Sequence, residues 1–413
     1  MKIFLNENVW QVGLERMEYL FDEFENIVVS FSGGKDSTVT LELALQVARK
    51  RNRLPLSVYF LDQEAEWSAV IDYVREVMSR KEIKPIWVQV PIFLPNSISQ
   101  EEPFLITWEE GKEWMREKDP LAIKDGIVLK EQTKGKEPKA GYWYDYFVKS
   151  INQIFPEQSA CFLAGMRAEE SPQRLAGLTS GQCYKHITWG RILDKKKNQY
   201  TFYPLFDWKT SDIWKSIHEN NWKYCKIYDE FFRYGLPIRD MRVSNLTHES
   251  ALKSLFYLHE LEGDTWEKLN KRLKGINQAK HIEKKNLLES KKLPFMFKSW
   301  KEYRNYLTDK IITTQKHRDV FYKAWKKMDE FYDDMKTPSE LHQKQIRSIL
   351  VNDLELVKLN NYLQTPSVIV YREWKKGNLL NRARNPNHLN QIKDHYLSDD
   401  YRNRMKKIFG SKA

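Results

Sequence analysis

The sequence predicts a doubly wound α/β domain with a mostly parallel sheet, extended by helices towards its C-terminal end. Three observations carry this. Short apolar runs at residues 27–31, 56–61 and 86–90 alternate with segments whose apolar residues recur at helical spacing, as in strands joined by crossover helices. The first run breaks into the glycine pair Gly33-Gly34 and resumes as a helix-like stretch from Thr38 to Leu45. Beyond about residue 235 the strand-like runs give way to amphipathic, helical spacing.

In order, Val9, Trp10, Val12, Leu14, Met17, Leu20, Phe21 and Phe24 predict an amphipathic helix leading into the strand at Ile27 to Phe31. The helix after the glycine pair runs to about Arg51, a strand covers Leu56 to Leu61, a helix spans about Ser68 to Arg80, and a strand from Ile86 stops at Pro91. Between Leu94 and Lys139 the periodicity is lost, and Pro95, Pro103, Pro120 and Pro138 punctuate a charged stretch, read as an insertion or lid over residues 94–140. Its charges read as a solvated face. Cys161 to Ala164 is the next strand, ending at Gly165, and Thr210 or Ser211 can cap a helix that carries Trp214. Residues 1–235 thus form the expected α/β domain, 236–294 a helical extension, and 295–413 a basic, aromatic helical region. Ligands of such a sheet bind at the carboxyl ends of its strands, where the glycine pair and Asp62 fall.

With 413 residues and 41% hydrophobic content the chain can bury a sizeable core. No run approaches the length of a membrane span and the N-terminal residues turn polar at once, so a cytoplasmic protein without membrane contact is expected. Cys161, Cys183 and Cys225 are far apart and form no C-x-x-C pair, which argues against a disulfide framework, a zinc site or a four-cysteine cluster. The net charge is +12, and residues 341–413 hold 14 Lys and Arg against 6 Asp and Glu. There Tyr371, Trp374, Lys375, Lys376, Arg382, Arg384, Arg402, Arg404, Lys406 and Lys407 interleave aromatic and basic groups, a surface suited to a nucleic acid or simply to solvent.

The chemistry concentrates at Ser32-Gly33-Gly34-Lys35-Asp36-Ser37. Adjacent glycines permit positive φ and close approach to bare N–H groups. The helix start adds unpaired donors and partial positive charge, Lys35 a mobile full charge, and Ser32 and Ser37 hydroxyl donors, with Ser30 at the strand end beside them. This is a phosphate cradle, although it lacks the spacing of a Walker A loop.

The six residues Ser32 to Ser37 resemble the PP-loop, S-G-G-x-D-S, of the ATP pyrophosphatases, whose fold is of the adenine nucleotide alpha hydrolase type. Two later segments are similar to the phosphoadenylyl sulfate (PAPS) reductases within that superfamily. Gly165-Met166-Arg167 with Ser171 and Arg174 matches a segment that helps hold the nucleotide's anionic groups, and Tyr203 to Trp214 matches a Y-P-L-x-D-W block, read here as packing. Asp240 to Leu261 and Trp266 to Gly275 look like the DUF3440-type extension of a bacterial and phage branch, immunoglobulin-binding regulator A-like, often encoded beside a ParB-like partner.

The resemblance implies binding of ATP and Mg²⁺ and α–β cleavage, with adenylyl transfer to an acceptor. Lys35 and Asp36 would be catalytic, with Asp36 also the Mg²⁺ ligand, and Ser30, Ser32, Gly33, Gly34, Ser37, Asp62, Gly165, Arg167 and Arg174 would bind the nucleotide. Its alternatives are a nucleotide-dependent regulator acting with a ParB-like partner or DNA, and a sulfur-transfer or nucleic-acid modification enzyme. Sulfate reduction itself is disfavoured, since such reductases carry a catalytic cysteine near the C-terminus and this chain has none after Cys225. His248 offers itself as a base, or as a structural residue at a helix start.

Overall fold

The computed structural model describes residues 6–99, 101–124, 142–156, 158–178, 181–243, 245–276, 292–332 and 338–364. They divide into two compact units, residues 1–94 with 104–281, and residues 95–103 with 282–413.

The first unit is built on a six-stranded sheet. Helix α1 (Val9–Glu23) precedes β1 (Asn26–Ser30), α2 (Lys35–Lys50) leads to β2 (Leu56–Leu61), and α3 (Ser68–Met78) to β3 (Ile83–Val88). The short strands β4 (Phe93–Pro95) and β5 (Phe104–Ile106) pair with each other outside this sheet. After α4 (Tyr142–Ile154) come β6 (Ala160–Leu163), α5 (Pro172–Leu178), β7 (Gly190–Asp194) and β8 (Gln199–Phe202). The strand order is β3-β2-β1-β6-β8-β7, parallel throughout except for the antiparallel pair β7 and β8. Register is set by the apolar runs, with Val28 opposite Ser57 on one side and Phe162 on the other. The order reverses between β1 and β6, so the crevice at their carboxyl ends is the switch point of a doubly wound sheet.

Several elements differ from the sequence expectation for physical reasons. Strand β3 starts at Ile83 rather than Ile86, because it is an edge strand and Pro85 removes no ladder bond on its open side. The hairpin of β7 and β8 has no strong apolar signal in Gln-Tyr-Thr-Phe, yet all four residues are buried, and the Gln199 amide donates to Phe155 O at 3.2 Å. Helix α6 (Thr210–Glu219) takes Lys209 as its N-cap instead of Thr210 or Ser211, and Glu169 Oε2 accepts the Thr210 N–H at 2.8 Å. Trp208 is buried, as its reading as packing requires.

Helix α7 (Ile227–Arg233) and the helices α8 (Leu252–Leu261) and α9 (Gly263–Arg272) complete this unit. Glu262 caps α3 by accepting from Ser68 N at 2.7 Å and Ala69 N at 2.9 Å. The described part of the 94–140 insertion is not merely a solvated face. Asp119 is buried, its N–H donates to Gln89 Oε1 at 2.7 Å, and its carboxylate accepts from Arg75 at 2.8 Å.

The second unit holds α10 (Trp300–Ile311), α11 (Gln315–Tyr332), α12 (Pro338–Leu350) and α13 (Val357–Leu363). Leu307, Phe321, Trp325, Leu341, Ile349 and Leu359 form its core. Inside it Arg304 grips Asp329 with two bonds of 2.7 and 3.0 Å, and Gln345 Oε1 accepts a third. The loop of residues 95–103 joins this unit through Asn352, whose Nδ2 donates to Asn96 O at 2.8 Å and Ser99 O at 2.6 Å. The interleaved aromatic and basic residues from Tyr371 to Lys407 lie outside the described residues. No helix among the described residues is long and apolar enough to cross a membrane.

Candidate functional site

The loop between β1 and α2 begins where the apolar run ends. Phe31 N donates to Tyr59 O at 2.8 Å, continuing the pairing with β2 one residue beyond Ser30, which is half-buried at the strand end. Gly33 then takes φ +71°, and a Cβ there would come within 2.8 Å of Val70 Cγ1 at the start of α3. Only glycine satisfies both demands. Gly34 is the N-cap of α2 and has no side chain to cap with, so hydroxyls organise the turn. Ser37 Oγ accepts from Ser32 N at 3.2 Å and donates to Gly34 O at 2.9 Å, while Thr38 Oγ1 donates to the same carbonyl at 3.0 Å. Tyr228 Oη accepts from Lys35 N at 3.2 Å.

The two charged residues of the loop form an ion pair. Lys35 Nζ lies 2.8 Å from Asp36 Oδ2, and Arg167 Nε donates to Asp36 Oδ1. Burial pushes the Asp36 carboxyl up, but Lys35 and Arg167 more than offset it and hold the group below the usual carboxylate range. Arg167 is 2% exposed, and its other donors reach Trp208 O at 3.2 Å, Thr210 Oγ1 at 3.1 Å and Glu169 Oε2 at 3.2 Å. Gly165 permits this: a Cβ there would sit 2.7 Å from the Asp36 carbonyl carbon. Its role is therefore close approach of the β6 end to α2, which brings Arg167 within reach of Asp36.

The remaining expected residues are placed differently. Asp62, expected to bind the nucleotide, is fully buried and spends both oxygens on protein partners. Oδ2 accepts from Trp87 Nε1 at 3.0 Å and Gln89 Nε2 at 2.8 Å; Oδ1 accepts from Glu64 N at 3.0 Å and from Arg116. It holds the strand end together and has no lone pair turned to a ligand. Arg174 forms an ion pair with Glu170 on the exposed side of α5 and makes no bond to the loop among the described residues. His248 is exposed in a turn after Thr247.

Four residues around the carboxyl edge of the sheet carried no signal for this site in the sequence. Tyr228 lies in α7, and nothing in its sequence spacing points to Lys35, 193 positions away. Glu66 is 9% exposed, and no hydrogen bond to its carboxyl comes from the described residues. Burial first, then the charge of Asp62, pushes its pKa up to about 8 against the opposing pull of Arg116. Arg242 and Val243 come from the segment after α7, where Val243 Cγ2 lies 3.3 Å from the position of a Cβ on Gly34.

A mostly parallel sheet with a glycine-pair loop and a Lys-Asp-Arg cluster at its switch point defines an α/β domain of the PP-loop type. Residues 26–234 match the model of the phosphoadenosine phosphosulfate reductase domain, and the chain belongs to that family. Residues 235–390 match a domain of unknown function, DUF3440. The chain is 29% identical over 291 residues to YbdN, an uncharacterized protein of Escherichia coli (strain K12), covering 67% of this chain and 68% of that protein. It is 26% identical over 206 residues to MJ0973, an uncharacterized protein of Methanocaldococcus jannaschii, covering 50% of this chain and 39% of that protein. Among solved structures, Candida glabrata FMN adenylyltransferase aligns at 16% identity and a TM-score of 0.34, over 59% of this chain and 65% of the other. PAPS reductase from Candida auris aligns at 14% identity and a TM-score of 0.30, over 55% of this chain and 93% of the other.

The residues present do not favour Mg²⁺ at Asp36 as they stand. Both carboxylate oxygens accept from cations, and no group of three His, Cys, Asp or Glu side chains is gathered among the described residues.

Proposed function

We propose that the chain binds ATP, or a closely related adenine nucleotide, on the Ser32 to Ser37 loop and cleaves it between the α and β phosphates, adenylating an acceptor. The observation that carries this reading is the charge arrangement at the start of α2. When a phosphate oxygen draws Lys35 Nζ away, Arg167 still compensates Asp36, so the lysine can change partners without stranding a partly buried carboxylate. The acceptor's nucleophilic atom attacks the α phosphorus, the bond to the bridging oxygen breaks, and pyrophosphate leaves with the electron pair. The charge growing on that leaving group meets Lys35 and the N–H groups at the helix start. Arg167 then acts as a positioning residue, bonded to Asp36 and to the loop before α6.

Sulfate reduction fits less well. Burial raises the thiol pKa at all three cysteines, to about 12 at Cys225, so none is a ready thiolate near neutral pH. A second reading, a regulator that binds nucleotide without turnover and acts with DNA or a ParB-like protein, draws support from the basic surplus of residues 341–413. Incubation with α-labelled ATP, with and without tRNA, DNA and sulfate, separates these readings. Adenylated product or AMP with pyrophosphate is expected, and Lys35→Ala or Asp36→Asn should abolish it while the melting curve stays cooperative. Pyrophosphate release that persists in both variants would remove the loop from the reaction.

A further inference from the structure

The segment after α7 crosses the carboxyl edge of the sheet, and it belongs to the DUF3440 region. At one end Asn245 Nδ2 donates to Gln63 O at 3.1 Å and Leu246 N to Ala65 O at 2.7 Å, which fastens it to the loop after β2. In the middle Val243 lies against Gly34 of the phosphate loop. At the other end Arg242 reaches towards the turn that carries Arg167, donating from Nη2 to Glu170 O at 3.4 Å. Residues 242–243 and 245–246 therefore form a strap from the β6 side of the switch point, over the glycine pair, to the β2 side.

The arginines around this point differ in what they have left to offer. Arg167 is buried and matched by Asp36 and Glu169, and Arg174 is matched by Glu170. Arg242 is half-buried, and among the described residues it forms no ion pair and a single bond, to a main-chain carbonyl, which leaves most of its guanidinium donors open. A cation held beside an anion cradle with open donors suits a second, bidentate grip on phosphate oxygens. We propose that Arg242 is a specificity-determining residue that binds the β and γ phosphates of the nucleotide, so that the DUF3440 strap selects a triphosphate over a monophosphate. This rests on the nucleotide reading above, and it deepens it by assigning the leaving-group side of the site to the strap.

Calorimetric titration of the full chain with ATP, AMP and inorganic pyrophosphate tests it. The unaltered protein should bind ATP more tightly than AMP. Arg242→Ala should weaken ATP and pyrophosphate 10- to 100-fold and change AMP less than two-fold, with Arg242→Lys falling between, and with melting temperatures close to the parent in both variants. Equal losses for ATP and AMP, or no loss for ATP, would overturn the role of Arg242 and leave nucleotide binding standing. An unaltered protein that binds none of the three ligands would overturn the underlying reading instead.

Discussion

Glu66 shows how a single carboxyl can set a pH response. Its pKa of about 8 lies far above the ordinary 4.5, so between these values the folded chain keeps a proton that the unfolded chain has lost. Folding then takes up a proton, and stability falls as pH rises, by about 1.4 kcal/mol per pH unit across that window, with no penalty below pH 4.5. Glu66→Gln should flatten the fall in melting temperature between pH 5 and 8 and make the protein more stable than the parent at pH 9. An unchanged slope would mean that the group ionises normally. At this scale the motif made the loop legible, and the structure pairs its Lys35 with Asp36 at the start of α2. It was not legible for Asp62 against Glu66, two acidic residues at one strand end, because only burial and hydrogen bonding decide which is consumed by the fold. Tyr228 and Arg242 were hidden for another reason, since long-range approach leaves no local trace.

Among elements, the meeting of β6 and α2 is the tightest constraint on the site. Gly165→Ala would place a methyl group against the Asp36 carbonyl and Ser37 N, atoms of the helix backbone that cannot rotate away. It should cost about 1–3 kcal/mol and weaken ATP binding by displacing the first turn of α2. The melting curve and a titration check the two effects, and a variant with parent-like values in both would show that the approach is looser than drawn. The elements around this junction were readable because apolar strands and amphipathic helices alternate without interruption from Val9 to Val88. The hairpin of β7 and β8 was not, because its buried face carries Gln199 and Thr201 and its pattern resembles a polar loop. The edge strand β3 was found but shortened, since a proline that is harmless on an open edge reads as a break.

At the level of the molecule, the family boundary at residue 234 and the boundary of the first compact unit at residue 281 differ. The intervening residues are part of the α/β unit's own structure. Arg272 Nε pairs with the fully buried Glu64 at 2.7 Å, Glu262 caps α3, and Leu246 N satisfies Ala65 O. Removing one partner of a buried ion pair costs about 3–5 kcal/mol, a large share of the roughly 5–15 kcal/mol that holds a domain folded. A chain ending at residue 234 should therefore be unfolded or insoluble, whereas one ending at residue 281 should give a cooperative melt by circular dichroism. A cooperative melt from the shorter piece would show that the extension is dispensable.

The loop of residues 95–103 has a consequence measured in time. Its carbonyl partner Asn352 stands 256 positions beyond Asn96. At about 5–20 residues per second on the ribosome, roughly 13 to 50 s pass between the synthesis of the two. Throughout that interval a nascent chain carries Asn96 and Ser99 with the amide that will hold them not yet made. Slower translation between residues 103 and 352 lengthens the wait, and this part of the second unit can close only once Asn352 has been made.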